Sequence, residues 1–266
     1  MAKQGKKPKQ ELLLILVEGE SDRIALENPL NQFLDMNGID VKIKFCHLYK
    51  DKDGNDVSGG DTTSDYGIYQ GNFDEEISKR IMRELTILEG IYPKYITKVI
   101  QIADTDGAFV SEEFVVSDDS CEHVKYEENL IRTNNVDGII KRNNKKSAML
   151  SYLSMKDEIK LKTTTVDYSI YFFSCNIDHF LSNDRNMPGC YKKSNAAKFQ
   201  GMCLDDEKYF TKTLIEGPYV AKNMSYRESW QYVSEGENSL SRFSNINLMI
   251  ADILNWYSRR NADALC

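Results

Sequence analysis

No apolar run in this chain reaches the about 18 residues that a membrane-spanning helix requires. The N-terminal run from Glu11 to Val17 is short, lacks a small-residue cleavage site and is interrupted at once by Glu18, so neither a signal peptide nor a membrane segment is expected. Cysteine spacing is equally uninformative for metal or disulfide frameworks. Cys46, Cys121, Cys175, Cys190, Cys203 and Cys266 include no Cys-x-x-Cys pair, which favours reduced thiols and a cytoplasmic location. Positive charge is not in excess: 34 Lys and Arg stand against 41 Asp and Glu, a net charge of -7. That balance argues against a protein living by non-specific DNA binding, but not against a nuclease, since a metal site needs acid and a basic groove can be local. There is no Gly-x4-Gly-Lys-[Ser/Thr] sequence, so the chain is not expected to be its own P-loop ATPase. No internal repeat is present.

What is there reads as strands alternating with helices. Residues 1–10 form a basic tail, expected to be flexible and solvated. Glu11 to Val17 (ELLLILV) is continuously apolar, as in a strand buried on both faces of a parallel sheet. Ser21 or Asp22 can cap a helix running to about Met36, with Pro29 inside it and Asn37-Gly38 as a stop. Val41 to Phe45 alternates as the next strand, completing a β-α-β unit. Residues 50–72 are rich in Asp, Gly, Ser and Thr. They fail as an EF-hand because Asp56 stands where Gly is required and Thr62 where the last Glu is required, so they read as a long surface loop suited to a lid or binding role. A helix is predicted from Phe73 to Ile91, ended by Pro93, and a buried strand from Ile96 to Ala103. Residues 107–134 read as an irregular acidic insertion over the site.

Val136 to Ile159 has helical spacing with a basic face of Lys141, Arg142, Lys145 and Lys146, either solvated or a nucleic-acid contact. Tyr168 to Ser174 is the fourth strong strand, running into a strand end and a short helix over Cys175–Leu181. Helices are predicted at 191–203, 205–215, 225–233 and 239–258. The expected class is α/β: a mostly parallel sheet flanked by helices, with a helical C-terminal extension over 185–266.

The chemistry concentrates at two strand ends. Ile96 to Ile102 runs into Ala103-Asp104-Thr105-Asp106-Gly107, placing two carboxylates one residue apart at the tip of a buried strand. Left alone they would repel each other and resist desolvation. A divalent cation removes both problems. Glu18 ends the first strand, and in open α/β sheets the functional crevice lies at the carboxyl ends of the strands. Three converging carboxylates suit Mg2+ or Mn2+. A metal-free Asp-Thr-Asp-Gly turn is the competing reading.

Val17-Glu18-Gly19-Glu20-Ser21-Asp22 followed by Ile102-Ala103-Asp104-Thr105-Asp106-Gly107 resembles the Toprim domain. That domain is shared by topoisomerases, DnaG-type primases, recombination proteins and the overcoming-lysogenization-defect and RloB-like nucleases of phage defence. The resemblance covers about residues 11–182 and implies a Rossmann-like catalytic domain over 11–184, with insertions at 50–72 and 107–134. It implies that Glu18 acts as general acid/base or metal ligand and that Asp104 and Asp106 bind Mg2+. Asp22 stands where such nucleases often place another acid, and it is equally readable as a helix N-cap. Asp178, in Ser174-Cys175-Asn176-Ile177-Asp178-His179-Phe180, is similar to a late acidic motif of these nucleases and is the second-metal candidate, although Asp stands where Glu is frequent. His179 reads as a packed core histidine or as a proton carrier. The family often adds a basic residue, and no motif selects among Lys192, Lys193 and Lys198.

The expected function is therefore Mg2+- or Mn2+-dependent hydrolysis of phosphodiester bonds in nucleic acid, with DNA the expected substrate. A role in phage defence beside a separately encoded ATPase follows by analogy alone. The alternative is a non-catalytic Toprim sensor or partner-binding subunit, with the helical C-terminal part serving assembly into an oligomer. A topoisomerase would need a tyrosine-bearing domain and a DNA gate for which the chain has little room. A primase would need a zinc module that the cysteines do not provide.

Overall fold

A computed structural model describes residues 12–47, 62–87, 93–162 and 164–263. The basic tail and most of the loop expected at 50–72 lie outside the described residues. The central sheet has five strands in the order β2-β1-β3-β8-β7: β1 (Leu12–Val17), β2 (Lys42–His47), β3 (Ile96–Asp104), β7 (Glu158–Leu161) and β8 (Thr164–Phe173). β2, β1, β3 and β8 are mutually parallel, and β7 is an antiparallel edge paired with β8. The expected α/β class with a mostly parallel sheet flanked by helices is what the chain adopts.

β1 lies between β2 and β3, and its alternate residues enter two different cores. Leu12, Leu14 and Leu16 pack with Phe73, Ile77 and Ile81 of α2 (Phe73–Ile87) and with Met149, Leu150 and Leu153 of α3 (Val136–Leu153). Leu13, Ile15 and Val17 pack with Ala25, Leu26 and Leu30 of α1 (Glu20–Met36) and with the C-terminal helices. A strand buried on both faces needs the uninterrupted apolar sequence LLLILV.

Three predicted boundaries differ. The helix expected over 136–159 stops at Leu153, and 158–161 is strand β7. There Ile159 and Leu161 are buried between exposed Glu158 and Lys160, a period of two that cannot continue a helix. The expected irregular insertion at 107–134 contains a small sheet, ordered β4 (Val115–Ser117), β6 (Ile131–Thr133), β5 (Lys125–Tyr126). Val110, Val115 and Ile131 pin it to Ile139, Cys175 and Leu240, over the ends of the main strands.

The helix expected over 239–258 is α8, Ile246–Asp263. The residues before it instead cover the free edge of β8. Cys175 N–H donates to the Ser239 carbonyl and Ser174 N–H to the Phe243 carbonyl, both at 2.8 Å. Phe172 N–H donates to Asn245 Oδ1, also at 2.8 Å. Side chains such as Ser244 and Asn245, which bond backbone readily, divert this segment from the helix that its apolar spacing suggested.

The remaining C-terminal helices are α4 (Ile177–Ser182), α5 (Gly189–Asp205), α6 (Glu207–Phe210), which continues into a π-helical turn over Thr211–Ile215, and α7 (Tyr226–Val233). Phe199 of α5 and Ile246, Met249, Ile250 and Ile253 of α8 share a core with β1 and α1. α8 is also tied to the sheet through one carboxylate. Asp252 Oδ2 lies 2.9 Å from Lys98 Nζ and accepts from Tyr171 OH at 2.8 Å and Ser169 Oγ at 3.1 Å. Removing one partner of a buried pair leaves the other charge uncompensated. Asp252→Ala is therefore expected to lower unfolding free energy by about 3 kcal/mol in urea denaturation. The double variant Lys98→Met/Asp252→Leu should recover most of that loss.

Candidate active site

β1 connects to β2 on one side and neighbours the parallel β3 on the other, so the direction of the strand connections reverses between β1 and β3. Such a switch point opens a crevice at the carboxyl ends of the strands. Glu18 follows β1 there, Asp104 ends β3, and Asp178 follows β8 in the first turn of α4.

The first motif turns at Gly19, which precedes α1. Asp22 is not the helix cap. It sits in the first turn and is buried, and its Oδ2 accepts the Gly19 N–H at 2.8 Å. The second motif is a locked left-handed turn. Asp106 and Gly107 have φ of 48° and 67°, and Cys175, in the turn that follows β8, has φ of 58°. Buried Thr105 donates through Oγ1 to the Ser239 carbonyl at 2.8 Å and accepts from Cys175 N–H at 2.9 Å. Asp106 N–H donates to the Cys175 carbonyl at 2.8 Å. A Cβ on Gly107 would lie 2.7 Å from Leu240 Cδ2 and 2.9 Å from Ile131 Cδ1, so both φ and space require glycine. Strained non-glycine residues of this kind gather at functional sites.

The carboxylates have different partners. Asp104 Oδ1 accepts the Ile177 N–H at 3.1 Å. Asp178 Oδ1 accepts from Asn195 Nδ2 at 2.9 Å, while its buried Oδ2 makes no hydrogen bond and lies 3.5 Å from Lys192 Nζ. Asp106 Oδ2 is 2.6 Å from Lys146 Nζ, and the same ammonium is 3.6 Å from Glu18 Oε2. Arg142 donates to the Asp106 carbonyl at 3.0 Å and to Tyr126 OH at 2.9 Å.

The basic face of α3 is thus divided: Lys141 stays exposed, whereas Arg142, Lys145 and Lys146 are partly or wholly buried. Arg142 and Lys146 turn inward to the acids, Lys145 donates to the Ile68 carbonyl, and Lys141 lies 5.4 Å from the centre of the Tyr66 ring. The signal was in the helix itself. Lys146 falls on the buried stripe Ile139, Asn143, Lys146, Leu150, Leu153, where a solvated lysine does not belong.

Burial raises the Asp104 carboxyl well above the usual range, and the charges of Asp22 and Asp106 push it further. Burial likewise raises Asp22 to about 6, opposed by the Gly19 N–H and Lys192 and assisted by Asp178 and Asp106. Burial works against the Lys192 ammonium, yet Asp104, Asp178, Asp106 and Asp22 together outweigh it and raise its pKa. Of the three candidate lysines after β8, Lys192 is therefore the one that faces the acids. His179 is fully buried, and burial with the charges of Arg185 and Arg242 lowers it to about 4. It is a neutral core histidine.

Among the described residues, no three carboxylate, imidazole or thiolate groups already stand around one ligand position. The donor chemistry still suits a hard cation. Asp22, Asp104 and Asp178 are oxygen donors, Asp178 Oδ2 is buried without a hydrogen bond, and Asp22 and Asp104 are held where ionisation is opposed.

Comparison with known proteins found no match: no family model fits the chain, and no curated protein or solved structure matches it.

The crowding has a measurable consequence. A carboxyl whose folded pKa is raised contributes stability below its unfolded pKa and loses it as pH rises through the folded value. For Asp22 that window runs from about pH 4 to just above 6. Asp22→Asn keeps an acceptor for Gly19 N–H and removes the charge. In EDTA its stability advantage over the unsubstituted protein should be near zero at pH 4 and grow to on the order of 1–3 kcal/mol by pH 7. A constant difference across that range would contradict the assignment.

Proposed function

We propose that the chain is a Mg2+- or Mn2+-dependent phosphodiesterase acting on nucleic acid, with DNA the first substrate to test. The observation that carries the reading is the meeting of Glu18, Asp22, Asp104, Asp106 and Asp178 at one crevice together with Lys192, which all but Glu18 influence. Acids that merely decorated a surface would not be buried against one another at the cost of their ionisation. The Toprim resemblance of the two motifs agrees with this reading.

Asp22, Asp104 and Asp178 would hold the cation, which when bound supplies Lewis-acid polarisation of a phosphate oxygen. Lys192 is 41% exposed at the rim and faces the same carboxylates, so it can swing onto a non-bridging phosphate oxygen. Asn195 orients Asp178 through its 2.9 Å hydrogen bond, and the Ile177 N–H orients Asp104. Glu18 would hold or accept a proton from an attacking water. The acid crevice would repel a polyanion without a cation to neutralise it, which makes dependence on added divalent ion part of the proposal.

Purified protein with Mg2+ or Mn2+ is expected to cleave single-stranded or duplex DNA, with RNA assayed in parallel. Asp104→Asn and Lys192→Met should each lower the rate by about 100-fold or more. Because burial opposes the Asp104 charge, Asp104→Asn should be at least as stable as the unsubstituted protein, so loss of cleavage cannot be ascribed to unfolding. Cleavage that survives both substitutions, or that persists in EDTA, would overturn the proposal.

A further inference from the structure

We infer that Lys146 serves as a built-in cation for Glu18 and Asp106, so that the crevice takes a single divalent ion, at the end formed by Asp22, Asp104 and Asp178. The inference rests on the cation-dependent reading of the site and concerns how many ions it holds and where.

Glu18 and Asp106 are in contact with Lys146 and Asp178 with Lys192, while the charges of Asp104 and Asp106 are felt by both lysines. At one end, Lys146 is completely buried, with its ammonium 2.6 Å from Asp106 Oδ2 and 3.6 Å from Glu18 Oε2. It is not a loose tether. One turn earlier on α3, Arg142 donates to the Asp106 carbonyl at 3.0 Å, and Asn143 donates to the Gly107 carbonyl at 3.3 Å. The helix is thereby fastened to the same turn that carries Asp106, and the Lys146 ammonium is positioned by backbone on both sides of the contact. At the other end, the cation is Lys192, which is 41% exposed and lies 3.5 Å from Asp178 Oδ2, an oxygen without a hydrogen bond.

The two ends respond differently to an arriving ion. A divalent cation between Glu18 and Asp106 would have to expel a buried ammonium that has no exposed surface, or sit beside it. The first displaces a fully buried side chain and the second sets two cations side by side in a poorly screened interior, and both are unfavourable. A cation at Asp22, Asp104 and Asp178 meets no such obstacle. Lys192 can move into solvent, and the buried Asp178 Oδ2, which has no hydrogen bond, gains a partner. Lys146 is accordingly a positioning residue: it holds Glu18 and Asp106 in place without ligating the metal or touching substrate.

The test is a Mn2+ titration of the full chain without nucleic acid, following free Mn2+ by electron paramagnetic resonance. One tight equivalent is expected. Lys146→Met should bind two, because the Glu18–Asp106 end then needs an external cation, and Lys146→Arg should return the count to one. Should Lys146→Met not fold, two further variants decide. Glu18→Gln keeps the Lys146–Asp106 pair and should leave the affinity of the single ion little changed, whereas Asp104→Asn should weaken it by about tenfold or more. Two equivalents in the unsubstituted protein, or a Glu18→Gln loss as large as that of Asp104→Asn, would overturn the inference while leaving the phosphodiesterase proposal standing. No Mn2+ binding at all would overturn both.

Discussion

The contact on which the site depends is the one between Lys146 and Asp106. An ammonium with no exposed surface is tolerable in a protein interior only with a close anionic partner. Asp106 provides it at 2.6 Å, and can do so because the chain takes left-handed backbone at Asp106 and Gly107 directly after β3. That turn is in turn held by Thr105, by the Cys175 carbonyl just past β8, and by the segment 239–245 that lines the end of β8. Sheet, helix α3 and C-terminal segment thus meet at one ion pair. Loosening any of them would release a buried charge.

The neighbouring carboxylates carry the opposite kind of energetics. Asp22 and Asp104 are buried among like charges, and the fold would be easier to maintain if they were neutral. Stability alone gives no reason to keep them. A cluster that weakens its own protein while facing an exposed lysine at a sheet switch point is the arrangement expected where function sets the residues. On the proposed reading, the contrast between the pair held by Lys146 and the acids that face the exposed Lys192 would give the crevice a defined place for a cation.

Much of this was legible from sequence, for identifiable reasons. β1, buried on both faces, spells out an unbroken apolar run, β3 is mostly apolar despite Thr97, Lys98 and Gln101, and the acids follow both strands directly, which placed Glu18, Asp104 and Asp106 at strand ends. Asp178 was legible by the same logic after β8. What stayed hidden depends on tertiary packing. β7 and the three strands of the small sheet have four residues or fewer, too few to establish a period. The segment 239–245 keeps a helical apolar spacing but bonds to β8 instead. Lys146 carried a signal in its place on the apolar stripe of α3, whereas nothing in the sequence sets Lys192 apart, and only the packing at the start of α5 turns it to the carboxylates.

The most direct test of the account is anomalous scattering from a crystal soaked in Mn2+. The account predicts one peak, in contact with Asp104 and at least one of Asp22 and Asp178, with Lys146 still paired to Asp106. A crystal with no peak in the crevice, or a peak between Glu18 and Asp106 with Lys146 displaced, would contradict it.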